Sequence, residues 1–109
     1  MTRGSDRLRG SLDLLILKTL RKGPLHGYGI TLHVDTSSEG EIVVEDGSLY
    51  PALHRLEAEG LIQAEWKPGA SGRAAKFYSL TAKGRKALER RTAEWRAFAT
   101  RLARFLEQD

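Results

Sequence analysis

The stretch DGSLYPALHRLEAEG, residues 46–60, decides how the rest of the chain is read. Leu49, Leu53 and Leu56 recur at i, i+4 and i+7, which makes one apolar stripe on a helix. Asp46 or Ser48 is placed to cap it, Pro51 falls within the opening turn, and Gly60 supplies the stop. Ser48, Tyr50, Pro51, His54 and Arg55 lie off the stripe. A short helix with one buried and one polar face is expected here.

Toward the C-terminus, Ile62 to Lys67 alternates apolar and polar residues, as a half-buried strand does. Pro68 to Arg73 is a Gly/Ser/Pro turn, and Lys76 to Leu80 reads as the second strand of a hairpin. Thr81 then caps a long helix running to about Leu106. On that helix Leu88, Trp95 and Leu102 are seven apart, and Phe98 and Phe105 interleave with them. Such spacing is what two helices packing along their length require, although Arg91 places a charge in the seam. The reading is an obligate dimer; the alternative is a helix folded back on its own domain.

Toward the N-terminus, Leu8, Leu12, Leu15, Ile16 and Leu20 recur at helical spacing, and Leu14 and Leu17 add a second apolar face. A helix over about 8–22 therefore serves its own core with one side and offers the other to a partner. Gly23-Pro24 ends it, because proline cannot continue a helix and disfavours helical geometry just before itself. His26 to about Ser37 predicts a second helix, and Ile42-Val43-Val44 a short strand in an acidic connection.

Helix, helix, helix, hairpin is the order of a winged helix-turn-helix. The expected fold is mainly α with a β-hairpin wing, with residues 1–80 as the DNA-binding unit and 81–109 as a dimerisation helix. In such modules the third helix enters the major groove, where base edges can be told apart, and the wing reaches flanking phosphates. Arg55 is the side chain of that helix suited to a bidentate guanine contact, and Lys67, Arg73 and Lys76 surround the hairpin turn. Winged helices also serve as protein-interaction modules, and that alternative stays open.

Composition narrows the classes. The chain has 109 residues, enough for one domain, and no Cys, which removes disulfide scaffolds and a thiol nucleophile. The lack of Cys fits a reducing cytoplasm, and the longest apolar run, Leu14 to Leu17, is far short of the roughly 20 residues of a membrane span. His26, His33 and His54 show neither metal-ligand nor triad spacing, so no enzyme, metal or cofactor is expected. Formal net charge is +4. Residues 24–60 oppose Arg55 alone to Asp35, Glu39, Glu41, Glu45, Asp46, Glu57 and Glu59, a net of −6. The excess of base therefore lies at the two ends and in 61–80, and a nucleic-acid footprint must come from there.

His26-Gly27-Tyr28, Gly47 to Leu53, Arg55-Leu56-Glu57, Gly60-Leu61-Ile62 and Lys76 to Thr81 with Gly84 resemble the PadR family of bacterial transcriptional regulators. The resemblance runs in order from about Leu12 to Trp95, and the single C-terminal helix is similar to that of the compact subgroup, which includes multidrug-responsive repressors. It implies a homodimeric repressor on a palindromic operator, often of its own operon or of a neighbouring transporter or detoxification gene. It also implies release by small aromatic effectors. Tyr28, Ser48 and Tyr50 match positions at the DNA face, with a ring packed under the third helix open for Tyr28 and a capping role open for Ser48. Arg73-Ala74-Ala75-Lys76 stands where some members carry a doubly basic run, which implies weaker wing anchoring. Trp95 matches a tryptophan that stacks planar compounds between subunits, or else is an interface residue that binds nothing. Asp13 and Arg91 would line the same cavity, pairing across it and partly filling it.

Overall fold

The structure is a computed structural model that describes residues 3–109, with side chains described from Gly10 onward. Helix α1 (Arg3–Thr19) continues into a 3-10 turn, Leu20–Lys22. There follow β1 (Leu25–His26), α2 (Gly27–Ser37), α3 (Asp46–Ala58), β2 (Ile62–Pro68), β3 (Ala74–Leu80) and α4 (Ala82–Glu107). The first helix starts earlier than its apolar pattern suggests, and the Leu8 side chain lies outside the described residues.

Two local expectations are corrected. Leu25-His26 forms a third strand, paired antiparallel with β3 through Leu25↔Tyr78 and His26↔Phe77, so the sheet order is β1-β3-β2. Two residues are too few for any alternation to show. Ile42-Val43-Val44 is not a strand: Ile42 and Val43 are exposed, and only Val44 turns into the core. The Ser38 hydroxyl holds this loop by accepting from the Ile42 N–H at 2.9 Å, so its backbone turns back on α2 and joins no strand of the sheet.

The core joins Ile16, Leu17 and Leu20 of the first helix to Ile30, Val34, Leu49, Leu53, Leu56, Ile62 and Leu80, and Ala87 and Leu88 of α4 close it. Leu12, Leu14 and Leu15 pack against it half-buried. Gly60 ends α3 as expected. Its φ of 77° is left-handed, its N–H donates to Glu57 O and that of Leu61 to Leu56 O, the paired bonds of a Schellman turn. That turn delivers the chain into β2.

Thr81 caps α4, its hydroxyl accepting from the Gly84 N–H at 3.0 Å and donating to Gly60 O at 2.7 Å. Only the first turns of the 26-residue α4 contribute buried residues. A helix of that length spans about 39 Å. Its distal half carries exposed Leu102, Phe105 and Leu106, and the molecule extends 58 × 29 × 27 Å.

Candidate nucleic-acid interface

α3 buries Leu49, Ala52, Leu53 and Leu56 and exposes Ser48, Tyr50, Pro51 and His54, so the polar face expected from sequence is present. Its start differs in detail. Glu45 is the extended N-cap and gives no side-chain cap, so neither Asp46 nor Ser48 caps, and Ser48 is the third helical residue. Pro51 sits one turn deeper than expected, inside the helix. Proline supplies no N–H, so it removes the bond to the Gly47 carbonyl, and it does so on the exposed side.

Arg55 needs the larger correction. Periodicity leaves it exposed, but its guanidinium turns inward and meets the buried Asp13 carboxylate of α1 at 2.5 Å. The same carboxylate lies 3.9 Å from Arg91 of α4, which also reaches Glu59 at 3.7 Å. Asp13 thus ties three helices together, and Arg55, about one-third exposed, is its nearest partner. Asp13 and Arg91 do approach each other, within one chain, but Arg55 is the closer partner, and neither Asp13 nor Arg91 lines the cavity beside Trp95. Only spacing across the whole fold could reveal this, and one helix's periodicity cannot.

Tyr28, at the start of α2, is 70% exposed and not packed beneath α3. The ring that bridges the two helices is that of Tyr50, whose hydroxyl lies over Gly27 where any Cβ would come within 2.6 Å. His26, which sequence reasoning left without a role, caps α2: its Nδ1 accepts from the Gly29 N–H at 2.9 Å. On the hairpin, Arg73 lies exposed just beyond the turn. Lys76 reaches Glu57 at 3.6 Å and lies over the Tyr78 ring. Lys67 points to the other face, over Phe77 and 3.9 Å from Glu65. Burial raises the Tyr78 phenol pKa, with Lys76 pulling it back down.

The residues expected at a subunit interface fall into two groups. Leu14, Leu88 and Trp95 line a cavity of about 840 Å³ between α1 and α4, together with the charged side chains Lys18, Arg21, Arg96 and Glu89. Trp95 is 39% exposed and its ring lies 5.6 Å from that of Phe98. Leu102 and Phe105 are further out on α4 and face solvent in the single chain. No group of three or more metal-ligating side chains occurs among the described residues, and no described helix is long and apolar enough to cross a membrane.

Over residues 16–90 the chain matches the transcriptional regulator PadR-like family. It is 39% identical over 88 residues to transcriptional regulator Rv3488 of Mycobacterium tuberculosis, covering 79% of this chain and 78% of that protein. The structure of a transcriptional regulator from Clostridium thermocellum superposes with a TM-score of 0.84 at 27% identity, covering 94% of this chain and 97% of that one. A PadR family transcriptional regulator from Eggerthella lenta superposes with a TM-score of 0.81 at 31% identity, covering 98% and 92%.

Proposed function

Because the chain belongs to the PadR-like family of transcriptional regulators, we propose that it binds operator DNA as a homodimeric repressor in the cytoplasm. The observation that carries this reading is the exposed row Ser48, Tyr50, Pro51 and His54 on α3, beside a hairpin bearing Arg73 and Lys76. Residues 1–80 grip DNA and 81–109 dimerise. α3 enters the major groove and the hairpin reaches phosphates of the flanking backbone. With Arg55 held by Asp13, base selection falls to the hydroxyls, the His54 imidazole and contact of Pro51 with a thymine methyl.

The exposed stripe Leu102, Phe105 and Leu106 supports dimerisation, since one helix cannot cover these side chains by itself. A two-fold dimer places the two α3 helices about 34 Å apart, one turn of B-DNA, and selects a palindrome. The Trp95 cavity suits a small planar aromatic effector, its indole giving the stacking face, with Lys18, Arg21 and Arg96 outnumbering Glu89 in its lining.

One observation favours a second reading, a winged-helix interaction module without DNA binding: the segment 24–60 carries a net charge of −6. Replacing Lys67, Arg73 and Lys76 together by alanine separates the two. The slope of log affinity on log salt is expected to flatten by about 0.9 for each phosphate no longer neutralised. Affinity for duplex near ~0.1 M salt should fall on the order of 100-fold or more. The dimer, checked by light scattering, is expected to persist. Unchanged duplex affinity would favour the interaction module.

A further inference from the structure

The hairpin face that roots in the core continues beyond it. Ile62↔Leu80, Ala64↔Tyr78 and Trp66↔Lys76 are successive pairs on one face of β2 and β3. Ile62, Leu80 and Tyr78 are buried, Ala64 is half-buried, and at the outer pair Trp66 stands 67% exposed. Strand alternation assigns Trp66 to the buried side, and it does lie on that side, past the point where the core ends.

Between this outer hairpin face, the start of α2 and α3 runs a groove of about 550 Å³. Its walls include Tyr28, Tyr50, His54, Trp66, Lys76 and Tyr78, and none of its lining residues carries a carboxylate. The surrounding α2–α3 region is acidic, and Glu57 of α3 stands 3.6 Å from Lys76 Nζ, so a phosphate arriving at Lys76 takes the place of this carboxylate. Lys76 is the groove's formally charged cation, and the rest of its polar surface is phenol and imidazole.

A duplex explains the position of this groove. Major and minor grooves are separated by a single sugar–phosphate strand. If α3 occupies the major groove and the hairpin reaches the next minor groove, that strand must cross the surface between them. A backbone strand offers two chemistries in alternation, anionic phosphate and the apolar flank of deoxyribose. We propose that the groove cradles this strand, with the Trp66 indole packed on a deoxyribose while Lys76 and the Tyr28 hydroxyl meet the phosphates on either side. The proposal rests on the DNA-binding reading above. The Trp66 contact releases no counterion, and it adds to a wing with few cations.

The test is Trp66→Ala, titrated onto duplex by fluorescence anisotropy across a range of salt, with Lys76→Ala alongside. Because Trp66 is mostly exposed, its removal should leave the melting temperature near that of the parent. Affinity should fall on the order of tenfold for each wing at every salt concentration, with the slope unchanged, because burial of apolar area is not screened. Lys76→Ala should instead flatten the slope. As a second readout, Trp95→Phe leaves Trp66 the one indole of the chain, and duplex should shield it from iodide quenching. Parental affinity for Trp66→Ala, or a loss that comes with a flattened slope, would overturn the proposal while leaving DNA binding intact. Failure of the unaltered protein to bind any duplex would overturn the DNA reading itself, and the proposal with it.

Discussion

Gly84→Ala is expected to destabilise this protein more than any other single methyl group added to it. A Cβ at Gly84 would stand 1.9 Å from the Leu61 carbonyl oxygen and 3.1 Å from Leu80 Cδ2. The obstacle is backbone, fixed by the Schellman turn on one side and β2 on the other, so no rotamer change relieves it. The first turn of α4 is also tied down at that point. Thr81 N–H donates to Leu61 O, the Thr81 hydroxyl to Gly60 O, and Lys83 Nζ to Glu59 O. Moving α4 away would break these bonds and lift Ala87 and Leu88 from the core. The cost should be about 3 kcal/mol or more, at the upper end of overpacking. A domain of this size then melts roughly 12–24 °C lower. Gly47→Ala is the control: it lies in α3 with nothing within 4 Å of its Cβ position, and alanine there should stabilise by up to ~1 kcal/mol. Equal melting temperatures for Gly84→Ala and the parent would show that α4 does not seat on Leu61.

Asp13→Ala is expected to have the second-largest effect on stability. Asp13 is 7% exposed and meets Arg55 at 2.5 Å and Arg91 at 3.9 Å. Its loss leaves two guanidinium groups facing each other without the carboxylate between them. Arg91 keeps Glu59 at 3.7 Å, but Arg55 has no other carboxylate within ion-pair distance among the described residues. Removing one partner of a fully buried pair costs about 3–5 kcal/mol. The arginines here are about one-third exposed, so about 2 kcal/mol is the expected loss, read as a fall in melting temperature of roughly 8–16 °C. Asp13→Leu combined with Arg55→Met should recover much of it, because removing both charges leaves no orphan. A melting temperature for Asp13→Ala within about 2 °C of the parent would mean that the tie among α1, α3 and α4 adds little stability.

Legibility in the sequence depends on whether the governing constraint is local. The α3 stripe, the Gly60 stop, the hairpin and the Thr81 cap each follow from residues within a turn or two of one another, and each stands in the structure. β1 is not legible, because two residues carry no period and its partner lies some fifty residues away. Arg55 is misplaced by its periodicity, which reports the face a side chain leaves from, whereas a long arginine can bend to a carboxylate 42 residues away. Trp66 shows the converse. Its alternation is correct, but alternation does not say where along a hairpin the core stops. Heptad spacing places Leu102 and Phe105 on a stripe that needs a cover, and it leaves the cover's identity to experiment.

The proposed function requires that a two-fold pair of α3 helices recognise duplex DNA. Selection of bound duplexes from a random-sequence pool tests it without assuming where the operator lies. Enrichment of a palindrome whose half-sites are centred about 10 base pairs apart, or a whole multiple of that, is the expected result. A pool that stays random after repeated rounds, with the protein folded and dimeric throughout, would contradict it.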